Sequence, residues 1–557
     1  MDTPVIVTVP ACLAESGINV TPQIVQKLGA LADIGGILRF EQGEYHFYED
    51  GALHSFFAPS NNTSGQKNVC FPLLDARGIT VDGGGSVFVF HGNAFPFIVS
   101  ESSDIVLKNF TCDTAYPSVA ALELLEKTDE GFFCRIDRQK SPFRTENGHL
   151  VFERENGVIS TEDGRLSIHS LDRMSIHYLF AGDTSQSKDA LPAAFVDTDA
   201  FDLGDRIYFR YREGTQISYP YEIGERVVIN LEEKRERSVF FLENSERVTL
   251  ENITIRRGGG MGVIAQMCTD VTVKNMRTDK TAHGDAVTLT ADAFHIIQCS
   301  GRFELTGCDM ESFLDDACNV HGVYTVLDRC DKDCLHLHLG HSQHDHFSAF
   351  KAGDRIVFIC PQTLERVAEA EVDNVFFTSN DGMNLTVKAC FAYGADRLEP
   401  GFLVENPARM PDICIHHNRF RDFPHFRLSG AGKIRVEDNV ISECHAAILF
   451  LDLAKYWYES GRIRDAKVRR NLFENCNALG SDTFITVGVS GFDAENAPTV
   501  HESVEITDNR FEGLRACAVQ ASGVKKLVLD GNTAAGKPLD GSFFRLASSV
   551  SVKTRQH

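Results

Sequence analysis

No stretch of this sequence reaches 18 consecutive apolar residues, so nothing in it is long enough to cross a bilayer as a helix. Basic residues are scarce: 55 Lys and Arg stand against 78 Asp and Glu, a formal charge of -23. That balance argues against nucleic acid, anionic membrane surfaces and polyanionic polysaccharides as partners, and favours a neutral ligand. The N-terminal MDTPVIVTVPACLAESG has no Lys or Arg ahead of its apolar part, and two prolines interrupt it. It reads as mature sequence, with a cytoplasmic location expected, or a secreted one if a leader has been trimmed. No phosphate-cradling loop or nucleophile elbow occurs; the GGG runs at Gly83 and Gly258 read as turn glycine. Tryptophan is nearly absent, the one residue being Trp457. The 16 cysteines are not arranged as a disulfide framework or zinc finger and are expected as free thiols. Cys112, Cys308, Cys444 and Cys476 each follow a strand-like run, where a small buried side chain is useful.

What is present is a repeat. Short runs, apolar at alternate positions, end in Asn or Gly: DIVLKN at Asn109, RVTLEN at Asn252, DVTVKN at Asn275, RFELTG at Gly307, KIRVEDN at Asn439, SVEITDN at Asn509 and KLVLDGN at Asn532. Several intervals fall in the low twenties, as from Asn252 to Asn275 and from Asn509 to Asn532, 23 residues each. One β signature per repeat, with no recurrent amphipathic helix between, is the pattern of a solenoid. The fold expected is all-β, a parallel β-helix whose coils each add one strand to several sheets. The Asn residues are expected to support bends and partly to stack inside. Residues 23–33 are expected as a short helix capping the open end.

Two stretches break the period. Longer, charged, alternating strands mark an inserted antiparallel β domain over residues 123–242, and a second over 323–406. Coils are then expected over 1–122, 243–322 and 407–557. Inserts on a solenoid gather on one face, so both should wall a cleft.

The chemistry-bearing stretch is Ala291 to Tyr324. Asp292 is followed 23 residues later by Asp315, with Asp316 beside it. One coil of separation would put the backbones about 5 Å apart. Two unpaired buried charges would be very costly, so the pair is expected at a strand-to-turn junction, both facing out. Like charges this close raise at least one pKa and titrate as a unit. A protonated carboxyl beside an ionised one is what glycoside cleavage needs; the spacing alone admits inverting or retaining geometry. A calcium site or plain surface turns are the blander readings. Asn319 and His321, in the turn after the pair, are candidate sugar contacts, and His283 and Asp285 weaker ones. Tyr456, Trp457, Tyr458 and Glu459 are a candidate sugar platform or, equally, packing residues. No Lys/Arg cluster lies near the aspartates in sequence. The histidines of CLHLHLGHSQHDHF (His336, His338, His341, His344, His346) read as a solvated hairpin rather than a zinc site.

Several motifs together resemble glycoside hydrolase family 110. They are MGVIAQMCTDVTVKN from Met261, TLTADAFHI, LDDACNVHGVY, KNVCFPLLDARGITVDGGGSVFVFHG from Lys67, and AAILFLDLAKYWYESGRIRD from Ala446. The likeness spans nearly the whole chain. It implies a right-handed β-helix with added β-barrel domains, and an inverting exo-α-galactosidase acting on terminal α-1,3-linked galactose, as in blood group B antigens and linear galactosyl caps. No metal and no cofactor are expected. Asp292, Asp315 and Asp316 match the family's catalytic aspartates; by analogy with polygalacturonases, Asp315 is the general acid while Asp292 and Asp316 activate water. Arg427 is kept from a family pattern that its neighbours depart from. Phe294 stands where the family tends to have Thr, and Leu453 where it tends to have Asp; both lie in coils expected to floor the cleft. The competing readings are a polygalacturonase-like hydrolase or lyase, and a non-catalytic carbohydrate-binding β-helix. Solenoid edges and two inserts leave room for a homodimer.

Overall fold

The computed structural model describes residues 4–14, 17–155, 157–161, 167–171, 175–178, 198–213, 222–232, 235–477, 482–515 and 517–553. Its frame is a right-handed parallel β-helix. Coils pair in register: Val248 with Val271, His295 with Asn319, Ile413 with Ile434, Ile434 with Ala466. One face consists of strands such as Val263–Gln266, Phe294–Ile297 and Cys318–Val323. The chain then turns into a second face, for example Thr269–Lys274 and Ser300–Thr306, and bends again into a third, as at Arg277–Thr278 and Asp309–Glu311. Alternate residues of each strand fill the lumen: Phe294, Ile296, Cys318, Val320, Phe426 and Leu428 all belong to one continuous apolar core.

The bend between second and third faces is built in two ways. In the early coils Asn109, Asn252 and Asn275 themselves take left-handed φ of 61°, 53° and 52°, and their amides link along the outer surface. In the later coils the left-handed residue is the one before, as at His417, Asp438, Arg470 and Asp508. The Asn that follows then turns inward. Asn418, Asn439, Asn471, Asn509 and Asn532 form a buried ladder. From Asn439 onward each Oδ1 accepts both the backbone N–H and the side-chain amide of the preceding Asn, at 2.9–3.1 Å. Internal stacking expected of Asn109, Asn252 and Asn275 is therefore wrong for those three: one residue of offset places them outside.

The open end is closed by the helix Thr21–Leu31, whose Ile24, Leu28 and Leu31 pack on the lumen core. All 16 cysteines are free thiols, and Cys112, Cys308, Cys444 and Cys476 are buried.

Among the described residues the first interruption carries an antiparallel sheet of seven strands, from Val119–Thr128 to Arg226–Asn230, and a smaller one of three. The second is a closed six-stranded barrel between Thr325–Asp331 and Leu403–Glu405, with its own apolar core. A buried cluster fastens the first insert where the chain re-enters the coils: Arg154 and Arg237 both pair with Glu232. On the other side, Ser60 N donates to Gln266 on a coil (3.0 Å) and Asn61 N to the Gln343 carbonyl of the barrel loop (2.8 Å).

Candidate active site

The three aspartates sit in the turns that feed the first face, Asp292 two residues ahead of Phe294–Ile297, and Asp316 two and Asp315 three residues ahead of Cys318–Val323. Pairing of His295 with Asn319 fixes the local offset at 24 residues, not 23. Asp316, rather than Asp315, thus stacks on Asp292, and Ala293 N donates to the Asp316 carbonyl (2.9 Å). The same register aligns His295, Asn319 and Arg427 in a second column. Period-2 alternation explains which residues reach the site. With Phe294, Ile296, Cys318 and Val320 turned into the lumen, His295, Asn319 and His321 must project outward beneath the inserts.

The pair lies in a turn, but it does not face open solvent. Asp292 is 3% exposed and Asp316 4%, while the Asp315 side chain retains 19%. Charge is matched locally instead. Arg235 Nη2 donates to Asp315 Oδ2 at 2.6 Å. His425 Nε2 lies 2.8 Å from Asp316 Oδ1, and Arg427 Nε 3.5 Å from Asp316 Oδ2. His295 Nδ1 lies 2.8 Å from Asp292 Oδ2. The expectation of no basic cluster fails here, because Arg235, His425 and Arg427 arrive from segments far away in sequence.

These partners separate the carboxyls. Burial, then the charges of Asp315 and Asp316, push Asp292 well above the usual carboxylate range. Burial also raises Asp315, against the opposing pull of Arg235. Burial acts on Asp316 in the same sense, but His425 and Arg427 outweigh it and hold that carboxyl below its ordinary value. Glu459 is raised by burial, with Arg427 opposing. The site thus holds one carboxylate kept ionised beside others biased toward the acid form, the division of labour that glycoside hydrolysis needs.

Among the other sequence candidates, the structure gathers Asn319, His321, Arg427 and Glu459 at the trio. Asn319 Nδ2 donates to Glu459 Oε1 (3.3 Å), and His321 Nε2 is 3.7 Å from the same oxygen. Asn319 Oδ1 and Glu459 Oε2 are buried with no hydrogen-bond partner among the described residues. Such acceptors suit the O–H donors of a sugar. Tyr456 is 59% exposed, and Trp457 packs on His341 at 4.5 Å between ring centroids; neither joins this network. His283 and Asp285 are engaged by Asp113 and Arg257. In the histidine run, His336 and His338 pair with Asp331 and Asp328 on the barrel, but His344 is fully buried rather than solvated. Phe294 lies in the lumen core and touches no cleft floor. Leu453 pairs with Glu459 at the base of a hairpin and is buried. Sequence reasoning missed Arg235, His295 and His425.

Over 496 residues the chain is 31% identical to alpha-1,3-galactosidase A of Shewanella woodyi, covering 86% of this chain and 76% of that protein. It belongs to the alpha-1,3-galactosidase family. An alpha-1,3-galactosidase B of Phocaeicola vulgatus is 27% identical over 89% of this chain and 83% of its own. One from Bacteroides thetaiotaomicron is 24% identical over 93% and 84%. No family model matches the chain. Among solved structures, the mannuronan C-5 epimerase AlgE4 A-module of Azotobacter vinelandii superposes with a TM-score of 0.41 at 9% identity over 97% of both chains. That superposition is loose, and the coil is defined by this chain's own strand pairing. Membership in the alpha-1,3-galactosidase family makes this protein a glycoside hydrolase.

Proposed function

We propose that this glycosidase removes terminal α-1,3-linked galactose from neutral glycans with inversion at the anomeric carbon. The observation that carries the reading is the unlike surroundings of three carboxyls on two adjacent coils, Asp316 being the one that faces both His425 and Arg427. Asp315, the most accessible of the three, serves as general acid toward the glycosidic oxygen. Asp316 takes the proton of the attacking water, and Asp292 orients that water. Asn319, Glu459 and Arg427 supply the polar wall for the sugar hydroxyls, with His321 behind them. A family of relatives named alpha-1,3-galactosidases supports the linkage.

A panel of digalactosides tests this reading. The α-1,3 isomer should be cleaved at least about 10²-fold faster than the α-1,4 and α-1,6 isomers, because a wall built from buried hydrogen-bonding groups rejects a misplaced ring. Including the fucosylated blood group B trisaccharide reports whether a branch is accepted. Equal cleavage of the α-1,6 isomer would contradict the proposal.

A further inference from the structure

Behind Asp292 runs a chain of hydrogen-bonding atoms that ends on a carbonyl. His295 Nδ1 is 2.8 Å from Asp292 Oδ2, and the Nε2 of the same ring is 3.4 Å from His321 Nε2. His321 Nδ1 in turn is 2.7 Å from the Gly322 carbonyl oxygen. Both rings are completely buried. They meet nearly edge to face, with 5.0 Å between centroids and 71° between planes.

The end of this chain dictates its beginning. A carbonyl oxygen only accepts, so His321 must carry a hydrogen on Nδ1. Burial, reinforced by His295, holds His321 well below the ordinary imidazole range, so the ring is neutral and its Nε2 is a lone-pair acceptor. The contact between the two Nε2 atoms then needs a hydrogen, and only His295 can bring it. If His295 is neutral, its Nδ1 is an acceptor and Asp292 must be the protonated donor. If His295 is cationic, Asp292 is its carboxylate partner. Either way the pair holds one more proton than an ionised carboxylate beside a neutral ring with its hydrogen on Nδ1.

The anchoring carbonyl is itself immobilised. Gly322 pairs with Ser460 across an antiparallel contact. A Cβ at position 322 would collide with Met410 Cε and Ser460 Oγ.

We propose that the Gly322 carbonyl, acting through His321 and His295, locks one proton on the Asp292–His295 pair, making both histidines positioning residues for the hydrolysis. The inference rests on the proposed function for its consequence: Asp292 orients water without taking its proton, and Asp316 is left as the base. During cleavage a water proton passes to Asp316, the Asp315 proton passes to the departing oxygen, and the locked proton stays in place. Burial brings His295 down to about 4, which favours the neutral ring and a protonated Asp292. Asp315, Asp316, Glu459 and Arg235 act on Asp292 from the neighbouring turns, while Arg427 and His344 act on His321.

Tautomers are read directly, on the protein alone, by ¹⁵N NMR of histidine-labelled enzyme at neutral pH, with assignments from His295→Asn and His321→Asn. Neutron diffraction from unsubstituted crystals locates the same hydrogens without any variant. His321 should carry hydrogen on Nδ1 only, and His295 on Nε2. A His295 ring with hydrogen on Nδ1 alone would overturn the proposal, whether or not the protein cleaves galactosides. A second reading uses pH profiles of kcat/KM. His321→Asn keeps a donor toward Gly322 but removes the acceptor toward His295, so the alkaline limb should move about one pH unit toward acid. His321→Gln restores an acceptor at the Nε2 position and should return the limb toward its original place. Equal shifts in the two variants would refute the relay.

Discussion

Replacing Asp315 by Asn should lower kcat/KM for an α-1,3-digalactoside by about 10²–10⁴-fold, the usual worth of a general acid. The same variant should lose roughly tenfold or less on p-nitrophenyl α-galactoside, because a nitrophenolate leaves without a proton. Asp315 suits this role by place. It keeps 19% of its side chain exposed, the most of the three. Burial biases it toward the acid form even against Arg235. The amide of an Asn preserves an acceptor for Arg235, so the fold should be undisturbed. Asp316→Asn makes the contrast: a lost base harms both substrates alike, by about 10²–10⁴-fold. If Asp316→Asn spared the aryl galactoside and Asp315→Asn did not, the two roles would be exchanged.

Arg427→Leu is the second large effect. Arg427 lies within 3.5 Å of Asp316 and 3.9 Å of Glu459, with little solvent to replace it. Removing one partner of a buried charge network costs about 3–5 kcal/mol, because the remaining charges stay buried. The pH dependence gives the loss a signature. In the unsubstituted protein the Asp316 pKa is depressed, so Asp316 contributes stability that is present above the unfolded carboxylate pKa and is lost as pH falls through the folded value. In the variant burial is less opposed, although His425 remains, so that pKa rises and the stability Asp316 contributes above the unfolded carboxylate pKa shrinks. Urea denaturation at several pH values should therefore show a gap that narrows toward acid and widens toward neutral. A gap independent of pH would mean that Arg427 acts through packing alone. Activity should fall at least about 10²-fold near neutral pH, since Arg427 both helps hold the base ionised and lines the site.

The frame was legible because a solenoid repeats its instructions. Alternating apolar residues before each Asn or Gly announced strands and bends, and the acidic doublet one coil after Asp292 announced a site. The exact stacking was not legible. Counting gave 23 residues, whereas pairing of His295 with Asn319 makes the coil 24, so Asp316 takes the place above Asp292. The Asn ladders show the same sensitivity: the inner Asn follows the left-handed residue, while the outer Asn is that residue. His295 could have been found, since in FHII only that residue and Ile297 alternate away from the lumen. Arg235 and His425 could not. Arg235 reaches Asp315 from the exit of the first insert, 80 residues upstream, and His425 reaches Asp316 from the coil beyond the second. Sequence distance conceals such partners until the inserts are folded back. Phe294 teaches the converse: beside Asp292 in sequence, it points into the lumen by simple alternation.

The claim on which all of this turns is that a water held by Asp292 and Asp316 attacks the face of galactose opposite the oxygen that Asp315 protonates. Proton NMR of the first product released from an α-galactoside, recorded before mutarotation, tests it most directly. β-Galactose appearing first is the result this account predicts; α-galactose appearing first would mean a double displacement and would contradict it.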